Sequence, residues 1–204
     1  MTLTEIEFEL PAEQYQLMGY PGLTQGESFT VEFESDILFP EPGLDGWFAV
    51  QKAALAPQFL QVAPATYAFA GRIEAAEIEK AVMETNEGQE QAVLLVQCGA
   101  IPLRVYCGPS EDGRLPYGTW ETRYLTGLSR LRGIVESDFA TAIGQPIGVT
   151  IWGVRRLVLT PGDPVFGQWH ESDTLLATPF TYDRVFITAR LHRNRFEAVT
   201  NGSQ

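Results

Sequence analysis

The sequence is poor in the side chains that most often carry catalysis and metal binding. Its 204 residues include two histidines, two cysteines and two lysines. It has no phosphate-binding loop with a following lysine, no GxGxxG after a strand, no GxSxG and no HExxH. An enzymatic activity stays open, but the sequence leans against one because it offers no catalytic motif.

A long apolar segment is also missing. The longest uncharged stretch, residues 53–71, contains two prolines, two glutamines and a threonine, which makes it a poor membrane-spanning helix. The first eleven residues carry three glutamates where a secretory signal has positive charge. We therefore expect a cytoplasmic protein that does not contact a membrane.

The two cysteines, Cys98 and Cys107, flank a short segment that contains a turn. If the chain folds back through residues 99–102, Cys98 lies opposite Leu103 and Cys107 lies opposite Leu94. The two Cα atoms are then farther apart than the ~7 Å that a disulfide spans. The spacing fits no zinc pattern either. We expect two reduced, buried thiols, no metal and no cofactor.

Alternation of apolar and polar side chains dominates the rest of the sequence. In residues 4–10, Ile6, Phe8 and Leu10 alternate with three glutamates, which is typical of a strand with one buried face. Turn signals recur at spacings of roughly 8–12 residues. The fold class that this predicts is mainly β, an antiparallel barrel or sandwich with one or two short helices. Residues 1–204 are expected to form a single compact domain, with a subdivision near 40–66 left open.

Individual elements follow from the same pattern. The helices are expected at 11–18 and at 138–143, where Ser137 is a suitable N-cap. Residues 35–66 read as an irregular, packed connection. Residues 74–84 suit either a helix or one arm of a hairpin, and we favour the hairpin. The strands are expected at 4–10, 28–33, 67–73, 92–97, 103–107, 120–125, 128–135, 149–159 and 184–191.

Charge is distributed unevenly along the chain, whose formal net charge is −12. Residues 1–102 hold 16 acids and three bases, whereas residues 103–204 hold ten acids and eleven bases, all of them arginine. Such asymmetry bears on partner choice rather than on fold. We expect the acidic half to dock a basic partner or an arginine-bearing surface of a second copy.

Arginines of the second half are the candidate interaction residues. A basic patch beside exposed tyrosines or tryptophans suits single-stranded nucleic acid, but strong binders usually have a pI above about 9 and this chain has a pI near 4.6. The alternative is that these arginines pair with nearby acids of the same chain. The candidates are Arg130, Arg132, Arg155, Arg156, Arg190, Arg193 and Arg195.

One further cluster, in residues 161–173, combines carboxylates with an imidazole. Asp163, His170, Glu171 and Asp173 are the residue types that bind a divalent cation or share a proton, which suggests a metal-dependent hydrolase. The alternative is a surface loop whose polar residues face water while Phe166 and Trp169 pack inward.

Three functions are therefore carried forward. The leading hypothesis is a non-enzymatic interaction module, a subunit or assembly factor that binds another protein with a basic surface or a second copy of itself. The second is a barrel that binds single-stranded nucleic acid through its arginines. The third is the metal-dependent hydrolase.

Overall fold

A computed structural model of the chain describes residues 5–19, 22–36, 47–80, 90–107, 123–135, 143–176 and 182–192. These residues form thirteen strands and one short helix, α1 (Ala12–Leu17). The strands are β1 (Glu5–Leu10), β2 (Leu23–Thr24), β3 (Ser28–Asp36), β4 (Trp47–Gln51), β5 (Gln58–Ala63), β6 (Thr66–Lys80), β7 (Glu90–Cys98), β8 (Ile101–Cys107), β9 (Tyr124–Ile134), β10 (Ile147–Leu157), β11 (Trp169–Ser172), β12 (Thr174–Leu175) and β13 (Arg184–Leu191).

Eight of these strands close into a barrel, which confirms the predicted fold class. Around the perimeter the order is β1, β13, β10, β3, β8, β7, β6 and β9, and β9 returns to β1. Strand β3 changes neighbours along its length, because residues 28–31 pair with β10 and residues 32–36 pair with β9. The pairings therefore close two rings of five strands that share β3 and β9. Strands β5 and β11 lie at the two ends of the strand path.

The core fills the inside of this barrel with one continuous cluster of apolar side chains. Several strands contribute apolar residues at alternate positions, as β1 does with Ile6, Phe8 and Leu10. The ring of Phe8 meets that of Phe33 edge-on at a centroid distance of 5.4 Å. Full burial of such a side chain contributes about 1.5–3 kcal/mol, so the alternation that is visible in the sequence also supplies the driving force for closure.

Several predicted elements agree with the structure. The helix expected at 11–18 is α1, and the last strand has its predicted bounds. Residues 66–80 form one long strand that pairs with β7, so the hairpin rather than the helix is confirmed for residues 74–80. The helix expected at 138–143 and its cap Ser137 lie largely outside the described residues.

Other element predictions were wrong. Residues 35–66 are not irregular throughout, because they contain the end of β3 and strands β4 and β5, which join the main sheet. The strands expected at 120–125 and 128–135 are not separate in the described part of the chain, because residues 124–134 form one strand, β9, in which Gly127 is paired with Phe48. Residues 120–122 lie outside the described residues.

The register of the β7–β8 hairpin also differs from the prediction. Cys98 lies opposite Ile101, and Cys107 lies opposite Ala92. The turn holds two residues rather than four, because Gly99 adopts a φ of 68° that lets the chain reverse within Gly99–Ala100. Both cysteines are free, so the expected absence of a disulfide between them is confirmed.

Candidate functional site

Arg130 and Arg132, two of the candidate interaction residues, lie on one face of β9 and contact carboxylates there. Arg130 is almost completely buried, and its Nη1 lies 3.8 Å from Oε2 of Glu9. Glu9 also forms a two-pronged contact with Arg184, from β13. Arg132 contacts three carboxylates, those of Glu13, Glu34 and Asp36.

Glu34 stands between two arginines on the outside of the barrel. Its carboxylate lies 3.5 Å from Nη1 of Arg132 and 3.9 Å from Nη1 of Arg104. Arg104 is itself buried, contacts Glu32 and donates from Nε to the carbonyl oxygen of Ile143 at 3.0 Å. Burial raises the pKa of Glu34 above its usual value, because the two guanidinium groups offset the loss of hydration only in part.

The other described candidates are paired as well. Each guanidinium lies within ion-pair distance of a carboxylate on or beside another strand of the sheet. The pairs are Arg155 with Glu7 at 2.6 Å, Arg156 with Asp183 at 3.5 Å and Arg190 with Glu5 at 3.3 Å. The remaining candidates, Arg193 and Arg195, lie outside the described residues.

These contacts overturn one expectation from the sequence. The acids of the first half and the arginines of the second half do not form separate surfaces, because most of the described ion pairs join one half to the other. The strand order explains this mixing. β1 lies beside β13, and β3 lies beside β9, so strands from the two halves are neighbours in the barrel.

The cluster in residues 161–173 is not a loop throughout, since residues 169–172 form β11. His170 lies opposite Arg156 and Glu171 lies opposite Arg155, so the two side chains leave the strand on opposite faces. Within the described ranges, no three histidine, cysteine or carboxylate side chains come together as metal ligands would. The expectation that Phe166 and Trp169 pack inward was wrong, because they are 57% and 42% exposed.

A groove lies next to this strand on the described surface. It consists of two depressions of about 360 Å³ and 550 Å³ that share Arg155, Glu171 and Thr188 as lining residues. We call it the Thr188 groove. The first depression is completed by Glu5, Ile6, Glu7 and Gln61, and the second by Trp152, Gly153, Val154, Ser172 and Asp173.

The floor of the Thr188 groove is low because small residues occupy its centre. Thr188 pairs with Glu7 on one side and with Gly153 on the other. Gly153 adjoins an irregularity in the β10–β13 register, and a Cβ atom built there meets nothing within 4 Å. Open space therefore lies directly above the backbone of β10, between the side chains of Trp152 and Arg155.

Four carboxylates and one guanidinium line the groove, so its charge is negative. The guanidinium, that of Arg155, is already held by Glu7. Glu7 is buried and also accepts hydrogen bonds from Nε2 of Gln61 at 2.6 Å and from the amide of Ala65 at 3.0 Å. By contrast, Glu171 and Asp173 are exposed and form no ion pair with any described residue. Their charge is available to a ligand.

Two exposed indoles flank the same region. Trp152 lines the second depression and remains 45% exposed, although the guanidinium of Arg190 lies 3.5 Å from the centre of its ring. Trp169 holds Arg155 in the same way at 4.5 Å and packs edge-on against Phe186 at 5.0 Å. Aromatic rings beside carboxylates form a surface that suits a cationic ligand.

Sequence reasoning missed most of this groove. Of its lining residues, Arg155, Glu171 and Asp173 stood among the candidates, whereas Trp152 and Thr188 did not. The long apolar run in 149–159 was read as a central strand with two buried faces, and an indole in such a run gives no sign of exposure.

The described part of the chain contains no helix with the length and apolar character that crossing a lipid bilayer requires. Comparisons with protein-family models, with curated proteins and with solved structures found no match for this chain.

Proposed function

We propose that this protein is a non-enzymatic β-barrel interaction module that binds a basic segment of a partner protein in the Thr188 groove. The observation that carries the proposal is the pair of exposed carboxylates of Glu171 and Asp173, which form no ion pair with the residues that the structure describes and lie beside the exposed ring of Trp152. In this proposal the protein acts as a subunit or assembly factor of a cytoplasmic complex and binds its partner through this site. The two free thiols suit that compartment.

The chemistry of the groove selects a cation. A lysine or arginine side chain that enters it meets two carboxylates whose charge is not already neutralised, while its aliphatic stem can lie against Trp152. Contact of a cation with an indole contributes about 0.5–1 kcal/mol at an exposed site. The negative net charge of the chain adds long-range attraction, which speeds encounter more than it tightens the complex.

The position of the groove favours an extended ligand. It runs beside β11, an end strand that pairs with β10 alone among the described strands and whose four residues are all exposed. An extended segment can add to such an edge through backbone hydrogen bonds while alternate side chains enter the groove. The ion pairs that hold the described arginine candidates weigh against nucleic acid as the ligand of this surface.

The test is a binding titration with a fluorescein-labelled peptide of alternating lysine and threonine, followed by fluorescence anisotropy at low salt. The double variant Glu171→Gln/Asp173→Asn should weaken binding by about tenfold or more, which corresponds to 1.4 kcal/mol. Trp152→Ala should weaken it further because the apolar contact is lost.

The matched control is Glu74→Gln/Glu77→Gln, which removes the same charge from β6 instead of the groove. This variant should bind the peptide as the unmodified protein does. Equal weakening by the two double variants would show that binding is a general charge effect and would overturn the proposal. Tighter binding of single-stranded DNA than of the peptide under the same conditions would do so too.

A further inference from the structure

Strand β5 lies at the other end of the strand path from β11. It pairs only with β6 in the described part of the chain, so its outer edge carries no described backbone partner. Leu60 and Val62 point away from the barrel and are 65% and 48% exposed. A long apolar edge of this kind is a template for pairing with another strand.

The two end strands differ in charge. β11 carries Glu171, whereas β5 lies within residues 53–71, the longest stretch without any charged residue. The row across from Leu60 on the outward face is also uncharged, because Leu60 pairs with Ala68, which in turn pairs with Leu128. This is an apolar, neutral surface on a chain whose net charge is −12.

We infer that β5 pairs antiparallel with β5 of a second copy of this chain, so that the protein forms a two-fold symmetric dimer. In such an interface the same strand faces itself across the symmetry axis. A charged residue near the axis would then lie close to the same charge of the second copy, at a cost in free energy. β5 meets this condition because it carries none. Among the described lining residues of the Thr188 groove, only Gln61 belongs to β5, whereas Trp152, Glu171 and Asp173, on which the proposed function rests, lie on or beside β10 and β11.

The ends of β5 limit the length of this pairing. Pro57 and Pro64 flank the strand and cannot donate backbone hydrogen bonds. A register shift between Gln61 and Ala63 further shortens the regular edge. Each β5 has one edge without a partner among the described strands. When two copies pair through these edges, neither β5 has a free edge left, so the assembly stops at a dimer.

Sedimentation equilibrium over a wide range of protein concentration tests the dimer. The unmodified protein should show a mass that rises from monomer to dimer. Leu60→Lys should weaken dimerisation at least about tenfold, because two ammonium groups then face each other across the axis. The control Leu176→Lys changes a leucine that is 72% exposed outside β5 and should leave the dimer intact.

A charge swap distinguishes self-pairing of β5 from other interfaces. Leu60→Lys and Leu60→Glu should each be monomeric alone and should associate when mixed. Hydrogen exchange of the amides of residues 58–63 should slow as the unmodified protein is concentrated. A mass that stays monomeric at every concentration, or a dimer that Leu60→Lys leaves unchanged, would overturn the inference. Leu60→Lys should still bind the lysine–threonine peptide, so failure of the dimer and failure of the groove are separable.

Discussion

The carboxylate of Glu7 lies 2.6 Å from Nε of Arg155, so a side chain of β1 contacts a side chain of β10 across the intervening strand β13. The same carboxylate binds the amide of Ala65 at the tip of the β5–β6 hairpin. One acid therefore joins three parts of the barrel and fixes one wall of the Thr188 groove. It also holds the only guanidinium among the described lining residues, which leaves the groove acidic.

The first prediction concerns this buried acid. Glu7→Ala should lower the free energy of unfolding by about 2–4 kcal/mol, because it leaves a largely buried guanidinium and a backbone amide without a partner. Glu7→Gln should cost less, since an amide oxygen can still accept a hydrogen bond from Ala65. Urea unfolding followed by tryptophan fluorescence measures both changes.

Glu5 supplies the control for that comparison. It lies on the same strand face and pairs with Arg190, but both side chains are about half exposed. Glu5→Gln should therefore change the free energy of unfolding by no more than about 0.5 kcal/mol. Equal losses for Glu5→Gln and Glu7→Ala would contradict the special role of the buried contact.

The second prediction concerns a glycine of the core. A Cβ atom at Gly133 would lie 2.5 Å from the ring of Phe8 and 2.9 Å from Cγ2 of Val31. Because Phe8 is completely buried and cannot swing away, Gly133→Ala should destabilise the protein by about 1–3 kcal/mol. Gly153→Ala, where a Cβ meets no atom within 4 Å, should stay close to the unmodified protein in the same urea experiment.

The third prediction is a pH dependence that arises from Glu34. Burial raises its pKa above the ordinary value of 4.5, so the folded protein binds this proton more tightly than the unfolded chain does. Below 4.5 the carboxyl is protonated in both states, and its contribution to stability is complete. That contribution falls as the pH rises from 4.5 through the higher folded pKa.

Chemical unfolding between pH 4 and pH 7 checks this sign. Relative to Glu34→Gln, which has no proton to lose, the unmodified protein should become progressively less stable as the pH rises. If the unmodified protein instead became more stable relative to Glu34→Gln as the pH rises, Arg104 and Arg132 would lower the pKa of Glu34, contrary to the prediction.

The fourth prediction concerns the thiols. Burial raises the pKa of Cys98 to about 12 and that of Cys107 to about 11, so thiolate is scarce at pH 8. Iodoacetamide should modify the folded protein slowly. In guanidinium chloride, without added reductant, two groups should react promptly. An exposed reference thiol from Gln145→Cys should react quickly even in the folded protein, which checks the reagent.

The sequence pattern was most informative where one face of a strand is buried and the other is wet. The alternation in residues 184–191 gave the bounds of β13 correctly, since Val185, Ile187, Ala189 and Leu191 face the core. It was less informative for β5, because Leu60 and Val62 are apolar yet exposed. It also failed in the β7–β8 turn, where the left-handed backbone of Gly99 shortened the loop.

The site was harder to predict than the fold because its residues are distant in sequence. Glu171 and Asp173 were singled out for metal binding, but opposite strand faces separate Glu171 from His170. The sequence left two interpretations of the arginines open, an interaction surface or pairing with nearby acids, and the ion pairs of the described arginines show the pairing with acids of the same chain.

The sequence by itself determined that this chain is a β protein with a closed apolar core, because a two-residue period places every second side chain on the buried face regardless of which strands are neighbours. The tertiary structure decided which strands those neighbours are. Pairing between residues far apart in the chain brought Glu7 to Arg155 and left Glu171 without an ion pair to any residue that the structure describes. A local pattern carries no record of such pairing, since the free energy that selects it belongs to the assembled barrel.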